Sequence, residues 1–197
     1  PSPVPIPVSE QDLTEGWIRL FDGGSLYGWH AENKANWAVE EGGITVSEGT
    51  QGLLRTTSEF TDYKLRLEFK ADKNTNSGIF LRTPGQPTDP TKDCYEFNIA
   101  AADNPFPTGS LVGRAKVENA PTSGEWQTAE ITVMGNQVKA IIDGNLVLDY
   151  IDENPIPRGF IGLQLNSGKI AFRNIMLLPL SLEPIFNGTD LTGWIEY

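Results

Sequence analysis

The stretch "QTAEITVMGNQVKAIIDGNLVLDY", Gln127 to Tyr150, decides the fold class of this chain. It reads as three strands separated by two short turns, one at Gly135-Asn136 and one at Asp143-Gly144. Asp-Gly is among the strongest hairpin signals, because both residues tolerate the positive φ that a type I′ turn requires. The stretch therefore predicts antiparallel strands joined by tight hairpins.

The same alternation of apolar and polar residues continues on both sides of this stretch. "YKLRLEFKA" (Tyr63–Ala71) places Leu, Leu and Phe on one face and Lys, Arg and Glu on the other. "RGFIGLQLNSGKIAFRNIMLLPL" (Arg158–Leu180) predicts two more strands around an Asn-Ser-Gly turn. The nearest candidate for a helix is one short turn from Glu10 to Glu15. Many antiparallel strands with short turns predict an all-β fold, a two-sheet antiparallel jelly-roll sandwich in which each sheet buries one face.

Composition restricts the classes of partner. The chain has 197 residues with 26 acidic and 15 basic side chains, and its net charge is −11. Nucleic acids and anionic membranes both favour clusters of Lys and Arg, so neither is expected as a partner. No apolar run reaches the roughly 20 residues of a membrane helix, so we expect no membrane insertion.

Cysteine and histidine usage restricts metal chemistry. The chain has one Cys, Cys94, and one His, His30, which excludes an internal disulfide framework, a Cys-based zinc site and a multi-histidine centre. The sequence requires no cofactor, and any metal would be a Ca²⁺ or Mg²⁺ ion with oxygen ligands.

Three predicted strands each have one wholly apolar face and one polar face. They are "NSGIFLRT" (Asn76–Thr83), "CYEFNI" (Cys94–Ile99) and "FIGLQLN" (Phe160–Asn166). If these strands are neighbours, their second faces form one patch, in which Gly78 and Gly162 leave room for a ligand near the backbone. The patch would contain Asn76, Phe80, Arg82, Glu96, Asn98, Gln164 and Asn166. A solvated outer face is the alternative, but an aromatic ring beside planar hydrogen-bonding groups suits a sugar ring.

The segment from Ala101 to Trp126 is long and contains no strand pattern. Loops of this length in a compact domain are usually functional or mobile. Arg114 and Lys116 in this segment could reach over the patch and meet an anionic group of a ligand. The alternative is an ordinary covering segment.

Segments from "WIRLFDGGSLYGW" through "NSGIFLRT" and "YEFNI" to "GFIGLQLNSGKIAFRNIMLLPL" follow one another in an order that resembles the 3-keto-disaccharide hydrolase family. The resemblance covers about residues 16 to 180. It implies a concanavalin A-like jelly roll with a carbohydrate site on the concave face of a sheet. It also implies a saccharide or 3-keto-saccharide ligand, an extracellular or periplasmic bacterial protein, and a chain tethered to further domains.

The resemblance places Asn76, Arg82, Glu96 and Gln164 in matching motifs, and the chemistry of a 3-keto sugar assigns their roles. The ketone acidifies the C2 proton, so a base can remove it and the C1 oxygen can leave by elimination. We expect Glu96 to be the base and Arg82 to stabilise the enolate or ketone, while Gln164 and Asn98 orient hydroxyls. The alternative for Glu96 and Arg82 is a structural cross-strand ion pair.

The sequence departs from the family pattern directly after "IGLQ". Many members have His or Asp-His there, where this chain has Leu165-Asn166-Ser167. If that His is a catalytic residue or a metal ligand in those members, this chain would bind saccharide without cleaving it. The alternative function is therefore a non-catalytic carbohydrate-binding or interaction module of a larger exported protein.

Two distant stretches share one motif, "LFDGGSLYGW" (residues 20–29) and "IFNGTDLTGW" (residues 185–194). The Pro-rich start predicts a linker or terminal extension over residues 1–12, and the strand pattern predicts one jelly roll over 13–180. The repetition predicts the start of a second, truncated copy over 181–197. The alternative is that the last stretch packs back on this domain or on a neighbouring copy as an edge segment.

Overall fold

The computed structural model describes residues 8–118, 124–180, 182 and 188–192. This part of the chain contains two short helices and thirteen strands. The helices are α1 (Glu10–Glu15) and α2 (Pro90–Asp93). The strands are β1 (Ile18–Arg19), β2 (Trp29–Ala31), β3 (Ala38–Glu40), β4 (Gly43–Val46), β5 (Gly52–Thr56), β6 (Tyr63–Ala71), β7 (Asn76–Thr83), β8 (Tyr95–Ala100), β9 (Gln127–Met134), β10 (Gln137–Ile142), β11 (Asn145–Ile151), β12 (Phe160–Leu165) and β13 (Ile170–Pro179).

The strands form two antiparallel sheets, which confirms the predicted jelly-roll sandwich. The larger sheet has the order β11-β10-β9-β6-β13-β4-β3, with β1 paired to β13 as its eighth strand. The smaller sheet has the order β2-β5-β12-β7-β8.

The predicted hairpins are present in the stretch from Gln127 to Tyr150. It forms β9, β10 and β11, which are neighbours in the larger sheet. At the second turn Asp143 has φ 49° and Gly144 has φ 79°. Both values are positive, as the Asp-Gly signal predicts for a type I′ turn.

The two strands predicted around residues 166–168 are β12 and β13, but they belong to different sheets. The turn therefore carries the chain across the sandwich instead of closing a hairpin. Gly168 has φ 79°, and a Cβ there would lie 2.8 Å from the Cα of Thr75. Only glycine fits this close approach without a shift of the backbone.

The core lies between the two sheets. The alternating residues of β6, Leu65, Leu67 and Phe69, are buried there, as are Ile79 and Phe97 of the smaller sheet. Each such side chain contributes about 1.5–3 kcal/mol through its burial. The apolar faces predicted from alternation are thus the inner faces of the sandwich.

The short turn predicted near the start of the chain is helix α1. Ser9 caps it by accepting a hydrogen bond from the Asp12 N–H, and Gly16 ends it in the left-handed conformation. Residues 1–7 of the predicted linker lie outside the described residues, and its last three residues belong to α1. Of the predicted second copy over 181–197, only residues 182 and 188–192 are described, so the packing of that tail stays a prediction.

Candidate functional site

The predicted polar face exists where β12, β7 and β8 lie side by side in the smaller sheet. Phe80 pairs with Glu96 between β7 and β8, and Gly78 pairs with Asn98. Gly162 on β12 pairs with Phe80. Paired residues of antiparallel strands point to the same side of a sheet. Glu96, Phe80 and Asn98 therefore share the outer face of the smaller sheet, opposite to the core.

Glu96 is the ionisable group on the part of this face that β12, β7 and β8 form, and it lies on the edge strand β8. The residue is only 7% exposed, and burial raises the pKa of its carboxyl from 4.5 to about 7. The amide of Gln164 lies beside the carboxyl and lowers the pKa by less than burial raises it. Half of the Glu96 carboxyls would consequently be protonated near neutral pH.

Gly78 keeps the space between Glu96 and Gln164 free of a side chain. A Cβ at Gly78 would lie 3.3 Å from Glu96 Cγ and 3.4 Å from Gln164 Oε1. The Oε1 atom of Gln164 is buried and has no hydrogen-bond partner among the described residues. A buried amide oxygen without a partner costs about 1–3 kcal/mol, so this position favours a ligand hydroxyl that donates to it.

Phe80 forms the apolar part of the face together with two neighbours. Phe80, Leu53 and Cys94 make a small buried cluster separate from the main core. The side chains of Leu53 and Phe80 pack over Gly162, within 3.2–3.3 Å of where its Cβ would lie. Gly162 therefore accommodates this packing. It does not leave room for a ligand near the backbone, so the role predicted for it from the sequence is wrong.

Cys94 in this cluster is a buried thiol, as its isolation in the sequence indicates. Burial raises the pKa of its thiol to about 12. A thiolate is then negligible at neutral pH, and Cys94 acts as an apolar side chain.

Arg82 does not lie on the polar face, and this prediction is wrong. Its side chain is 1% exposed and bonds elsewhere. Nε donates to Thr61 O at 2.7 Å, Nη1 to Gly135 O at 2.8 Å and Ile156 O at 2.5 Å, and Nη2 to Asp62 Oδ1 at 2.7 Å. The guanidinium thus ties several loops together, and its partner is Asp62 in place of Glu96.

The backbone explains why alternation failed at Arg82. Arg82 has φ 49°, in the left-handed region, and the register between β12 and β7 shifts between Phe160 and Gly162. An irregularity of this kind turns the side chains that follow it to the other face. Arg82 therefore points away from Glu96.

Asn98 lies on the predicted face, but it anchors a loop. Its side-chain amide donates to Phe106 O, while its Oδ1 is buried without a partner in the described part of the chain. Backbone bonds hold the same loop to the outer edge of β8: Asn98 N–H donates to Ser110 O at 2.9 Å, and Val112 N–H donates to Glu96 O at 3.0 Å. The predicted covering segment thus packs beside β8.

Arg114 and Lys116 do not reach the face, which contradicts their predicted role. Arg114 donates to Asp152 at 2.7 Å and stacks over Tyr95, whose ring belongs to the main core. Lys116 lines a separate cleft beside the turn between β10 and β11, together with Asp143.

Asn76 and Asn166 lie at one end of the face. The backbone of Asn76 exchanges hydrogen bonds of 2.9 Å with Ser167, and Asn166 Oδ1 accepts from Gln51 Nε2 at 2.7 Å. Both side chains are partly buried and lie beyond Gln164 as seen from Glu96.

A cleft of about 360 Å³ adjoins Glu96 on the same side of the smaller sheet. This size is within the range of small-ligand sites. Its lining combines apolar side chains with three amides and one carboxylate. The lining residues are Glu32, Gln51, Gly52, Leu53, Phe80, Gly85, Gln86, Pro87, Pro90 and Gln164. Phe80 and Gln164 connect the cleft to Glu96.

Glu32, one of the lining residues, forms a partly buried ion pair with Arg55. Glu32 Oε1 accepts from Arg55 Nε at 2.5 Å, and the two side chains are 15% and 18% exposed. The Arg55 guanidinium also stacks over the Phe160 ring at 4.1 Å. Arg55 pairs with Gly162 across β5 and β12, so it belongs to the same face as Glu96.

Sequence reasoning missed Glu32, Gln51, Arg55 and Gln86. Alternation in "LLRTT" places Leu53 and Arg55 on one face of a strand, which is a usable signal. The signal becomes informative only once β5 is known to pair with β12, more than a hundred residues away.

In the described ranges, no group of three or more His, Cys, Asp or Glu side chains could hold a metal ion. The same ranges contain no helix long and apolar enough to span a membrane. The expectation that no cofactor is required stays a prediction.

Comparison with known proteins identifies the family. The profile of the 3-keto-alpha-glucoside-1,2-lyase-like domain matches residues 16–178. The chain belongs to this family. A 3-keto-disaccharide hydrolase of Bacteroides thetaiotaomicron is 26% identical over an alignment of 226 positions, which covers 82% of this chain and 77% of the relative. Family and relative indicate a carbohydrate-active, hydrolase-like protein.

Solved structures show the same fold. A Parabacteroides distasonis protein provisionally named a glycosyl hydrolase superposes with a TM-score of 0.78 at 19% identity, covering 89% of this chain and 99% of its own. The carbohydrate-binding module CBM66 of Bacillus subtilis superposes with a TM-score of 0.61 at 18% identity, covering 75% of this chain and 93% of the module. At these identities, the comparisons bear on the fold alone.

Proposed function

We propose that this protein cleaves glycosides whose C3 hydroxyl has been oxidised to a ketone, at the outer face of the smaller sheet, with Glu96 as the general base. The main support is the buried carboxyl of Glu96, which has no cationic partner and a pKa of about 7. It lies beside a cleft with apolar walls and amide groups at its rim.

The chemistry requires removal of the C2 proton, cleavage of the C1–O bond and protonation of the departing oxygen. The Glu96 carboxylate removes the proton from C2, and the C–H electron pair forms the enolate of the C3 ketone. The enolate then re-forms the ketone, a C1–C2 double bond forms, and the C1–O bond breaks. The departing oxygen takes up a proton, from Glu96 or from water. In a hydrolase, water then adds across the double bond.

Glu96 suits this step because a general base works best when its pKa is near the operating pH. The enolate oxygen requires a hydrogen-bond donor, which the sequence assigned to Arg82. Since Arg82 is occupied elsewhere, we assign this role to the amide group of Gln164, which lies between Glu96 and the cleft. Amide donors at such positions stabilise developing negative charge in other enzymes.

The name of the family and that of the Bacteroides relative support action on a 3-keto sugar. The extracellular or periplasmic location, the tethering to further domains and the absence of a required cofactor belong to the same proposal. They rest on the resemblance described above.

A second function, a non-catalytic carbohydrate-binding module, is favoured by the position of Arg82. The pKa of Glu96 is determined by burial and by Gln164, with no contribution from a cation. A site without a cation beside Glu96 stabilises an enolate less well than one with the arginine that the sequence predicts there.

The deciding experiment measures cleavage of a 4-nitrophenyl 3-keto-glucoside by the wild type, by Glu96→Gln and by Glu130→Gln, an exposed control on the larger sheet. We expect Glu96→Gln to lose about 10²–10⁴-fold in rate and the control to match the wild type. The wild type should also cleave a substrate deuterated at C2 more slowly. An unchanged rate in Glu96→Gln would remove Glu96 as the base. Saccharide binding without cleavage by the wild type would establish the binding module instead.

A further inference from the structure

The charged and polar groups at the rim of the cleft indicate which ligands it accepts. Glu32 is the one charged residue among those that line it, and Arg55 neutralises it at 2.5 Å. The other hydrogen-bonding side chains at the rim are the amides of Gln51, Gln86 and Gln164. With the pair intact, the rim therefore carries little net charge.

Two of these amides offer a carbonyl oxygen to a ligand, and their NH2 groups are partly used within the protein. Gln51 Nε2 donates to Asn166 at 2.7 Å, and Gln86 Nε2 donates to Glu32 O and Oε2 at 3.3 Å. Their carbonyl oxygens have no partner in the part of the chain that the structure describes. Carbonyl oxygens accept from hydroxyl groups but offer nothing to a carboxylate, phosphate or sulfate.

Arg55 lies directly behind this rim. A Cβ at Gly85, which lines the cleft, would lie 3.3 Å from Glu32 Oε1, 3.5 Å from Arg55 Nε and 3.8 Å from Arg55 Nη2. Nε donates to Glu32 and Nη1 to Thr56 O, and Nη2 donates to none of the described residues. The guanidinium is thus close enough to act on a ligand, but Glu32 cancels its charge.

We propose that the Glu32–Arg55 pair determines the charge specificity of the cleft. With the pair intact, the cleft takes an uncharged, hydroxyl-rich sugar unit and rejects an anionic one. With Glu32 neutralised, Arg55 attracts a carboxylate and the preference reverses. The inference rests on the proposed function for the identity of the ligand as a sugar.

The test uses two ligands that differ at one carbon, methyl glucoside and methyl glucuronide. Their dissociation constants are measured by NMR titration for the wild type and for Glu32→Gln, with the side-chain amides of Gln51 and Gln86 as reporters in the cleft. We expect the wild type to prefer the glucoside. We expect Glu32→Gln to shift the ratio of the two dissociation constants about tenfold towards the glucuronide, because Glu32 then no longer cancels the charge of Arg55. A tenfold shift corresponds to about 1.4 kcal/mol of binding free energy.

Two further variants separate charge from structure. The double variant Glu32→Gln/Arg55→Gln lacks both charges, so it should not gain affinity for the glucuronide. Glu130→Gln removes a carboxylate of the opposite sheet and should keep the wild-type ratio. Thermal unfolding of each variant shows whether it is folded before titration.

The outcomes distinguish this inference from the proposed function. An unchanged ratio in Glu32→Gln overturns the inference, even if the wild type cleaves 3-keto-glucosides. A shifted ratio supports it, even if the wild type cleaves nothing. If neither sugar shifts the NMR signals of the Gln51 or Gln86 amides in the wild type, the inference is also overturned, because the cleft is then not a sugar site.

Discussion

Arg82 and Glu96 are two buried ionisable side chains on adjacent strands of one sheet, yet their surroundings differ completely. Arg82 is 1% exposed and donates to three backbone carbonyls and one carboxylate. Glu96 is 7% exposed and has no cationic partner, so burial raises its pKa to about 7 although the amide of Gln164 lowers it in part. A buried charge with all its hydrogen bonds made is a structural element, whereas one without them is a candidate for chemistry. The predictions below test this difference.

Removing Arg82 should have the largest effect. Arg82→Ala removes a donor from three backbone carbonyls and from Asp62, which keeps its bond from the Gly135 N–H, so we expect the free energy of unfolding to fall by about 3–5 kcal/mol. Denaturant unfolding measures the loss. Arg158→Ala, which removes an exposed arginine paired to Glu59, should cost under about 0.5 kcal/mol. If Arg82→Ala costs no more than Arg158→Ala, the hydrogen bonds of Arg82 do not stabilise the fold.

Replacing Glu96 should instead raise the free energy of unfolding. Because the folded-state pKa is raised from 4.5 to about 7, the folded protein binds the proton more tightly than the unfolded chain does. The loss of stability caused by ionising this buried carboxyl is therefore absent below about pH 4.5, grows between pH 4.5 and 7, and is constant above pH 7. Glu96→Gln should stabilise the fold by about 3 kcal/mol at pH 8 and by little at pH 4. A variant less stable than the wild type at pH 8 would contradict the raised pKa.

The same ionisation should govern the rate of cleavage. The base acts in its deprotonated form, so kcat/KM for a 3-keto-glucoside should rise with pH up to about 7 and then level off. Between pH 7 and pH 5 the rate should fall about fiftyfold, because the deprotonated fraction of one group with a pKa of about 7 falls from one half to about one hundredth. A profile that is flat from pH 5 to 8 would assign the proton transfer to another group.

Replacing Arg55 should change stability less than replacing Arg82 or Glu96, because Arg55 is more exposed and makes fewer contacts than Arg82. It is 18% exposed, with one ion pair and one aromatic contact. Arg55→Gln should cost about 1 kcal/mol in unfolding free energy. If Arg55→Gln costs as much as Arg82→Ala, Arg55 has a structural role, and this result would contradict its proposed role in ligand selection.

The sandwich and the position of Glu96 follow from patterns that are local in sequence. Alternation in residues 94–99 separates Tyr95 and Phe97, which point into the core, from Glu96, and the Asp143-Gly144 turn is a strong short-range signal. These features depend on residues within about six positions of one another. They were predictable for that reason.

The remaining parts of the site depend on contacts between distant segments. Arg82 left the predicted face because of an irregular register opposite β12, which no residue of β7 reveals. Glu32 and Arg55 joined the face because β2, β5 and β12 pair, although they are far apart in the chain. Long-range pairing of this kind is decided by how the whole sandwich packs.

β8, which contains Glu96, is the last strand of its sheet, and the bonds from Ser110 and Val112 cover its free side. An uncovered final strand offers its N–H and C=O groups to any extended chain, including a second molecule of the same protein. Here the covering loop occupies that side, so the strand with the proposed base is shielded from joining an intermolecular sheet. Shortening this loop would therefore threaten the colloidal behaviour of the protein at high concentration as well as the position of Glu96.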